Sequence, residues 1–175
     1  MKLDTLQKLY LNELKDLYHA EQQLTRALPK MAKAANSQEL KDAFETHLKE
    51  TEGHIERLEE VFELMDETPK TKVCQAMKGL IEEGSEITEE EGEPSVLDAG
   101  LIVAAQKVEH YEIASYGSVR TFAELLGQDK AVELLQQTLE EESHANELLS
   151  NLAQEIVNPE ALLDSEPAEA ASSKR

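Results

Sequence analysis

Read at heptad spacing, Ile102, Ala105, Glu109, Glu112, Tyr116, Val119, Ala123 and Leu126 form a continuous helical seam that is apolar except for two carboxylates one turn apart. This stretch constrains the fold more than any other. An unpaired carboxylate costs several kcal/mol to bury, so a helix that turns two of them toward a core needs protons, cationic partners or metal ions there. The rest of the chain must supply one of the three.

Further helices are legible on either side. Asp4 is placed to cap a first helix, with Gln7 three residues on, and Tyr10, Leu14, Leu17, Glu21, Leu24, Leu28, Met31 and Ala35 carry its seam past Pro29, a candidate bend. Asn36 and Ser37 break the pattern, and Ser37 caps a second helix that runs to about Asp66, ahead of Thr68 and Pro69. Its seam reads Leu40, Phe44, His47, Glu50, His54, Arg57, Val61, Leu64. A crossover of roughly 30 residues follows, with a short helical piece from about Val73 to Glu91. Ser95 starts the long helix of the opening seam, which closes at Gly127, and Asp129 caps a fourth that runs to Val157. Strand signals are missing.

Four long helices with two tight turns and one long crossover predict an all-α four-helix bundle of two antiparallel hairpins over residues 1–157. Residues 158–175, NPEALLDSEPAEAASSKR, are small, polar and aperiodic and read as a disordered acidic tail. An offset of 91 residues aligns the halves at pattern level, pairing Leu14 with Ala105, Leu28 with Val119, Glu21 with Glu112 and Glu50 with Glu141. Apolar positions on the outer faces, Leu11, Ala27, Leu48 and Ala114, make a homodimer the expected assembly.

Depth along the bundle brings the polar seam residues together. At about 1.5 Å per residue, Glu21 and Glu50 lie roughly 20 Å from the turn that joins their helices, and Glu112 and Glu141 lie as far from theirs. Glu109, Glu142, His47, His54 and His144 fall within about a turn of that level. Such a ring of oxygen and nitrogen donors predicts two divalent iron or manganese ions bridged by carboxylates. Which of Glu141 and Glu142 faces inward stays open: the repeat favours Glu141, the seam of Leu135, Leu139 and Leu149 favours Glu142. His144 stands as a ligand or as an exposed histidine. A buried network pairing Glu109 and Glu112 with Arg120 or a lysine is the alternative that needs no metal.

Charge narrows the function classes. With 37 Asp and Glu against 17 Lys and Arg, a net charge of -20 opposes binding to nucleic acid and to anionic membrane surfaces. One cysteine, Cys74, permits no internal disulfide and no thiolate zinc site. The opening residues MKLDTLQK lack an export signal and no run is long enough to span a membrane, so a cytoplasmic location is expected.

The stretches LKDLYHAEQQLTRALPKMAKAA, HLKETEGHIERLEEVF, AAQKVEHYEIASYGSVRTFAELLG and LLQQTLEEESHANELLSNLA resemble the YciE/YciF family of ferritin-like stress proteins. The wider ferritin-like pattern puts one Glu on the first and third helices and Glu-x-x-His on the second and fourth. By that resemblance Glu21, Glu50, Glu112, Glu141 and His144 match as metal ligands, with Glu109 as an extra ligand similar to that of rubrerythrins. Gly53 stands where the second helix's histidine would be, leaving His47 or His54 to substitute, with His54 favoured. The resemblance implies a stress-response protein with a dinuclear iron, or iron and manganese, centre that reacts with peroxide or oxygen or handles iron. The competing expectation is a non-enzymatic bundle that acts through another protein.

Overall fold

A computed structural model describes residues 4–164. Four long helices carry the fold: α1 (Leu6–Ala34), α2 (Gln38–Leu64), α4 (Pro94–Leu125) and α5 (Asp129–Leu152), with α3 (Gln75–Glu89) in the crossover. No strand occurs among the described residues, so the chain is the expected all-helical bundle. Helices α1 and α2 form one hairpin, α4 and α5 the other; α1 also packs on α4, and α2 on α5.

Termini follow local chemistry, with two departures from expectation. Ser37 caps α2 as expected, its side chain accepting from Leu40 N, and Gly127 closes α4 at φ 71°, a left-handed conformation that glycine adopts without strain. Thr5, not Asp4, caps α1, while Asp4 takes a hydrogen bond from Lys8 Nζ instead. Asp129 is the first residue of α5, and no side chain caps that helix.

The apolar interior is in two parts. One, around Leu24, Leu28, Leu40, Phe44, Leu101, Ile102 and Leu149, lies toward the α1–α2 turn. The other, around Tyr10, Leu14, Leu58, Phe62, Tyr116, Val119 and Leu135, lies toward the α4–α5 turn. Because α1 and α5 run from the second part to the first while α2 and α4 run the opposite way, every neighbouring pair is antiparallel. Buried Glu21, His47, Thr51, His54, Glu109, Glu112, Thr138 and Glu142 occupy the level between the two parts.

The crossover is tied along α1. Lys72 N donates to Lys15 O, Cys74 N to His19 Nδ1 and Gln23 Nε2 to Cys74 O, while the buried Cys74 Sγ caps α3 by accepting from Met77 N. His19 thus acts as an acceptor that docks the crossover. Gly100 permits a close approach of α3 to α4, since a Cβ there would stand 3.0 Å from Ile87 Cγ2. The outer-face expectation is also corrected: Ala27 is buried beside α3, Leu11 and Leu48 are half-buried, and of the four only Ala114 is exposed.

At the C-terminal end the chain does not stop at Asn158. Residues Ala153–Val157 form a π-helical turn that leads into α6 (Asn158–Asp164), which packs on α4 with Ser95 Oγ donating to Asp164 Oδ2. Pro159 has no N–H, and its ring crowds the carbonyl four residues back. The wider π turn, with Asn158 N donating to Ala153 O, carries the helix past it. The expected tail thus loses residues 158–164 to helix, and its remainder lies outside the described residues.

Asp98 on α4 fixes the first hairpin to the second. Its buried carboxylate accepts from Asn36 N at 2.8 Å and Ser37 N at 2.7 Å, serving the turn between α1 and α2. Asp98→Ala strands both donors and should lower the unfolding free energy by about 2 to 3 kcal/mol, read as a shift in urea midpoint. A loss below about 0.5 kcal/mol would show that water takes over the turn.

Candidate metal centre

Six ionisable side chains from all four long helices converge between the two apolar parts. They are Glu21 from α1, His47 and His54 from α2, Glu109 and Glu112 from α4, and Glu142 from α5. In two groups the donor atoms lie within 4.8 Å of one another: His47, Glu109, Glu112 and Glu142 in one, Glu21, His54 and Glu142 in the other. Glu142 belongs to both. Its Oε1 is 3.0 Å from His54 Nδ1 and its Oε2 is 3.6 Å from His47 Nε2.

The open choice on α5 closes in favour of Glu142. Glu141 is 27% exposed and Glu50 is 30% exposed, and neither joins a group. His144 is exposed and also stands apart. The physical reason is register. The inner positions of α2 run Phe44, His47, Thr51, His54, Leu58, and those of α5 run Leu135, Thr138, Glu142, Ala145, Leu149, one residue off the ligand positions that the resemblance implied.

Glu50 and Glu141 have another place. Glu50 Oε2 lies 3.3 Å from His47 Nδ1, leaving Nε2 to face Glu109 and Glu142; Glu141 Oε2 lies 3.0 Å from His54 Nε2, leaving Nδ1 to face Glu21 and Glu142. A carboxylate behind a metal-ligating histidine sets ring orientation and tautomer in this way. Arg57 completes one of the pairs, with Nη2 on Glu141 and Nε on Thr138 Oγ1 at 2.9 Å. Tyr116 OH donates to Glu21 Oε1, orienting that carboxylate.

Gly53, where the resemblance put the second helix's histidine, does not face the cluster. It lies half-buried off the inner face, where an added Cβ would meet only Arg57 Nη1 at 3.8 Å. The departure from the Glu-x-x-His pattern is Thr51, three residues before His54, with its hydroxyl already donated to His47 O. The 91-residue offset brings Thr51 onto Glu142, His54 onto Ala145 and His47 onto Thr138. One half therefore supplies both imidazoles and the other supplies the shared carboxylate, while Glu21 and Glu112 keep the symmetry.

The electrostatics show what the cluster lacks. Burial pushes the Glu109 and Glu112 carboxyls well above the usual carboxylate range; His47 opposes this at Glu109, while Glu142 and Glu21 reinforce it at both. Burial alone would lower His47, but Glu109, its hydrogen bond to Glu50, and Glu142 together raise it to about 9. His54 goes to about 10 against the same effect of burial, through Glu21 and Glu142. Glu142 itself is held low despite burial by His54 and His47. Four carboxylates against two imidazoles leave a surplus of negative charge that protons or metal cations must balance.

The atoms aimed inward fit metal better than they fit each other. Both oxygens of Glu112 and of Glu142, Oε2 of Glu21 and of Glu109, His47 Nε2 and His54 Nδ1 are buried without a hydrogen-bond partner. Arg120, the cation considered for Glu112, pairs with Glu124 instead. An oxygen-rich set with one imidazole in each group suits iron or manganese.

In the metal-free protein both histidines bind protons more tightly than their ordinary 6.5, so their pairing stabilises the fold fully below that pH and is lost as pH rises through about 9 and 10. The raised Glu109 and Glu112 act in the same sense. The melting temperature of metal-free protein should therefore fall between pH 6.5 and 10, and a flat or rising profile there would contradict the pairing.

Comparison with known proteins agrees with this architecture. Residues 5–162 match the family described as Domain of unknown function (DUF892). Protein YciF of Escherichia coli K12 is 49% identical over 162 residues, covering 92% of this chain and 98% of the relative. The crystal structure of that E. coli stress protein superposes with a TM-score of 0.86 over 89% of this chain and 98% of its own. YcfI of Rhodopseudomonas palustris, 44% identical, gives 0.83 over 85% and 95%. A Xanthomonas campestris protein, 20% identical, gives 0.70 over 93% and 100% and shares the fold alone. The chain belongs to the DUF892 family, as a relative of the stress protein YciF.

Proposed function

We propose that the chain is a ferritin-like stress-response protein whose bundle holds a dinuclear iron, or iron and manganese, centre that reacts with peroxide or oxygen or handles iron. The observation that carries the reading is Glu142, whose Oε1 lies 3.0 Å from His54 and whose Oε2 lies 3.6 Å from His47, one oxygen toward each donor group. Glu21, His54 and Glu142 would hold one ion, and His47, Glu109, Glu112 and Glu142 the other. Bound there, the ions supply Lewis acidity and redox capacity. The protein orients His47 through Glu50 and His54 through Glu141 and Arg57, and the apolar parts above and below exclude bulk water. The stress role rests on likeness to YciF. The same reading takes the protein as cytoplasmic and homodimeric, with exposed Val103 and Leu125 as apolar surface for contact. None of the described helices is long and apolar enough to cross a membrane.

A second reading has its own support. The distances of 3.0 to 3.6 Å between the imidazoles and Glu21, Glu109 and Glu142 also suit a metal-free cluster of proton-sharing pairs in a non-enzymatic bundle that binds another protein. Metal analysis after anaerobic loading and dialysis separates the two. Glu142→Ala should abolish retention of both ions with helicity intact, whereas Glu50→Ala or Glu141→Ala should each weaken affinity by about 10- to 100-fold, the usual effect of losing an orienting partner. Full retention of metal by Glu142→Ala would remove the shared carboxylate from the centre.

A further inference from the structure

Burial across the cluster is uneven. Glu21, His54, Glu112 and Glu142 are 0% exposed, Glu109 is 2% and His47 is 6% exposed. The two members that solvent touches are also the two that line a recess of about 70 Å³ on the face shared by α2 and α5, room for a few molecules the size of water. Phe44, Leu148 and Leu149 wall the recess, and Glu50 and the exposed His144 stand beside it. Ala145 lines it too, at the position that the internal repeat makes equivalent to His54. Where one half of the bundle turns an imidazole toward the cluster, the other leaves that side chain's volume open.

We propose that this recess is the port through which divalent cations load the centre, with Ala145 keeping it open and His144 capturing the ion at its mouth. The inference rests on the metal reading above. Donors then follow one another inward, from His144, Glu50 and the Thr46 hydroxyl near the mouth to His47 and Glu109, between the apolar walls of Phe44, Leu148 and Leu149. The strongly acidic surface raises the local concentration of cations outside.

Loading kinetics test the port without reference to activity. Metal-free full-length chain is mixed with Co²⁺, whose absorption reports its coordination, and the rate and final stoichiometry of uptake are followed. Ala145→Leu fills the recess, and Leu148→Trp covers its mouth from a position 37% exposed, where a larger side chain has space. Each should slow uptake about tenfold or more at unchanged final stoichiometry. If Ala145→Leu fails to fold by circular dichroism, Leu148→Trp decides. His144→Ala should slow uptake and leave the endpoint unchanged; a lowered endpoint would make His144 a ligand and overturn its place at the mouth. Uptake by Leu148→Trp at the rate of the parent chain overturns the port while the metal reading stands. No uptake by the parent chain overturns the metal reading and the port with it.

Discussion

Everything at the middle of this bundle depends on one constraint: four carboxylates share a dry level with two imidazoles, and their charges must balance. Two apolar parts, one toward each end, close that level off from water except at the recess beside His47 and Glu109. Desolvation then works against every ionised carboxylate, and it is relieved only by groups inside the layer. Two protonated imidazoles do part of this, which is why both are raised so far above their ordinary value. The remaining deficit falls on Glu109 and Glu112, neither of which forms an ion pair with a lysine or arginine among the described residues. A bundle stabilised by burial alone would carry leucine there. Charge retained at such a level gives up stability that an apolar layer would supply, and this is what the proposed metal centre accounts for.

The second organising feature is a repeat that keeps its scaffold and divides its chemistry. Glu21 and Glu112 occupy equivalent positions, as do Glu50 and Glu141. Glu50 and Glu141 both sit behind a histidine of α2, although one comes from α2 and the other from α5. Between them the symmetry is broken: His47, Thr51 and His54 face Thr138, Glu142 and Ala145 across the repeat. Oxygen and nitrogen donors are thus sorted onto different helices, and Ala145, where the repeat would place an imidazole, leaves room on the side of the cluster nearest solvent.

Much of this was legible in the residues. The two tight turns, the crossover helix, the Ser37 cap, the Gly127 closure and the inward line from Ile102 to Ala123 all follow from periodicity and turn chemistry. The register of the inward-facing polar residues was not, for a physical reason. Between Phe44 and Leu58 the inner positions of α2 are His47, Thr51 and His54, so the hydrophobic signal that fixes register vanishes where the site begins. On α5 the leucine line around the run of glutamates was the better guide, and the repeat misled because it matches the orienting pair rather than the buried one. The Asn158–Pro159 stop failed because a π turn can carry a helix past a proline that ends an ordinary one. The bond from Asp98 to the first turn joins residues more than 60 positions apart and leaves no local signature.

The central claim is that the carboxylate and histidine layer is a two-metal site divided by Glu142. Anomalous diffraction from crystals grown with Mn²⁺, collected on both sides of the manganese absorption edge, tests it most directly. The account predicts two manganese peaks within the bundle, one between His47, Glu109 and Glu112, the other between Glu21 and His54, with the Glu142 carboxylate between them. Peaks confined to the acidic surface, with the layer empty, would contradict it.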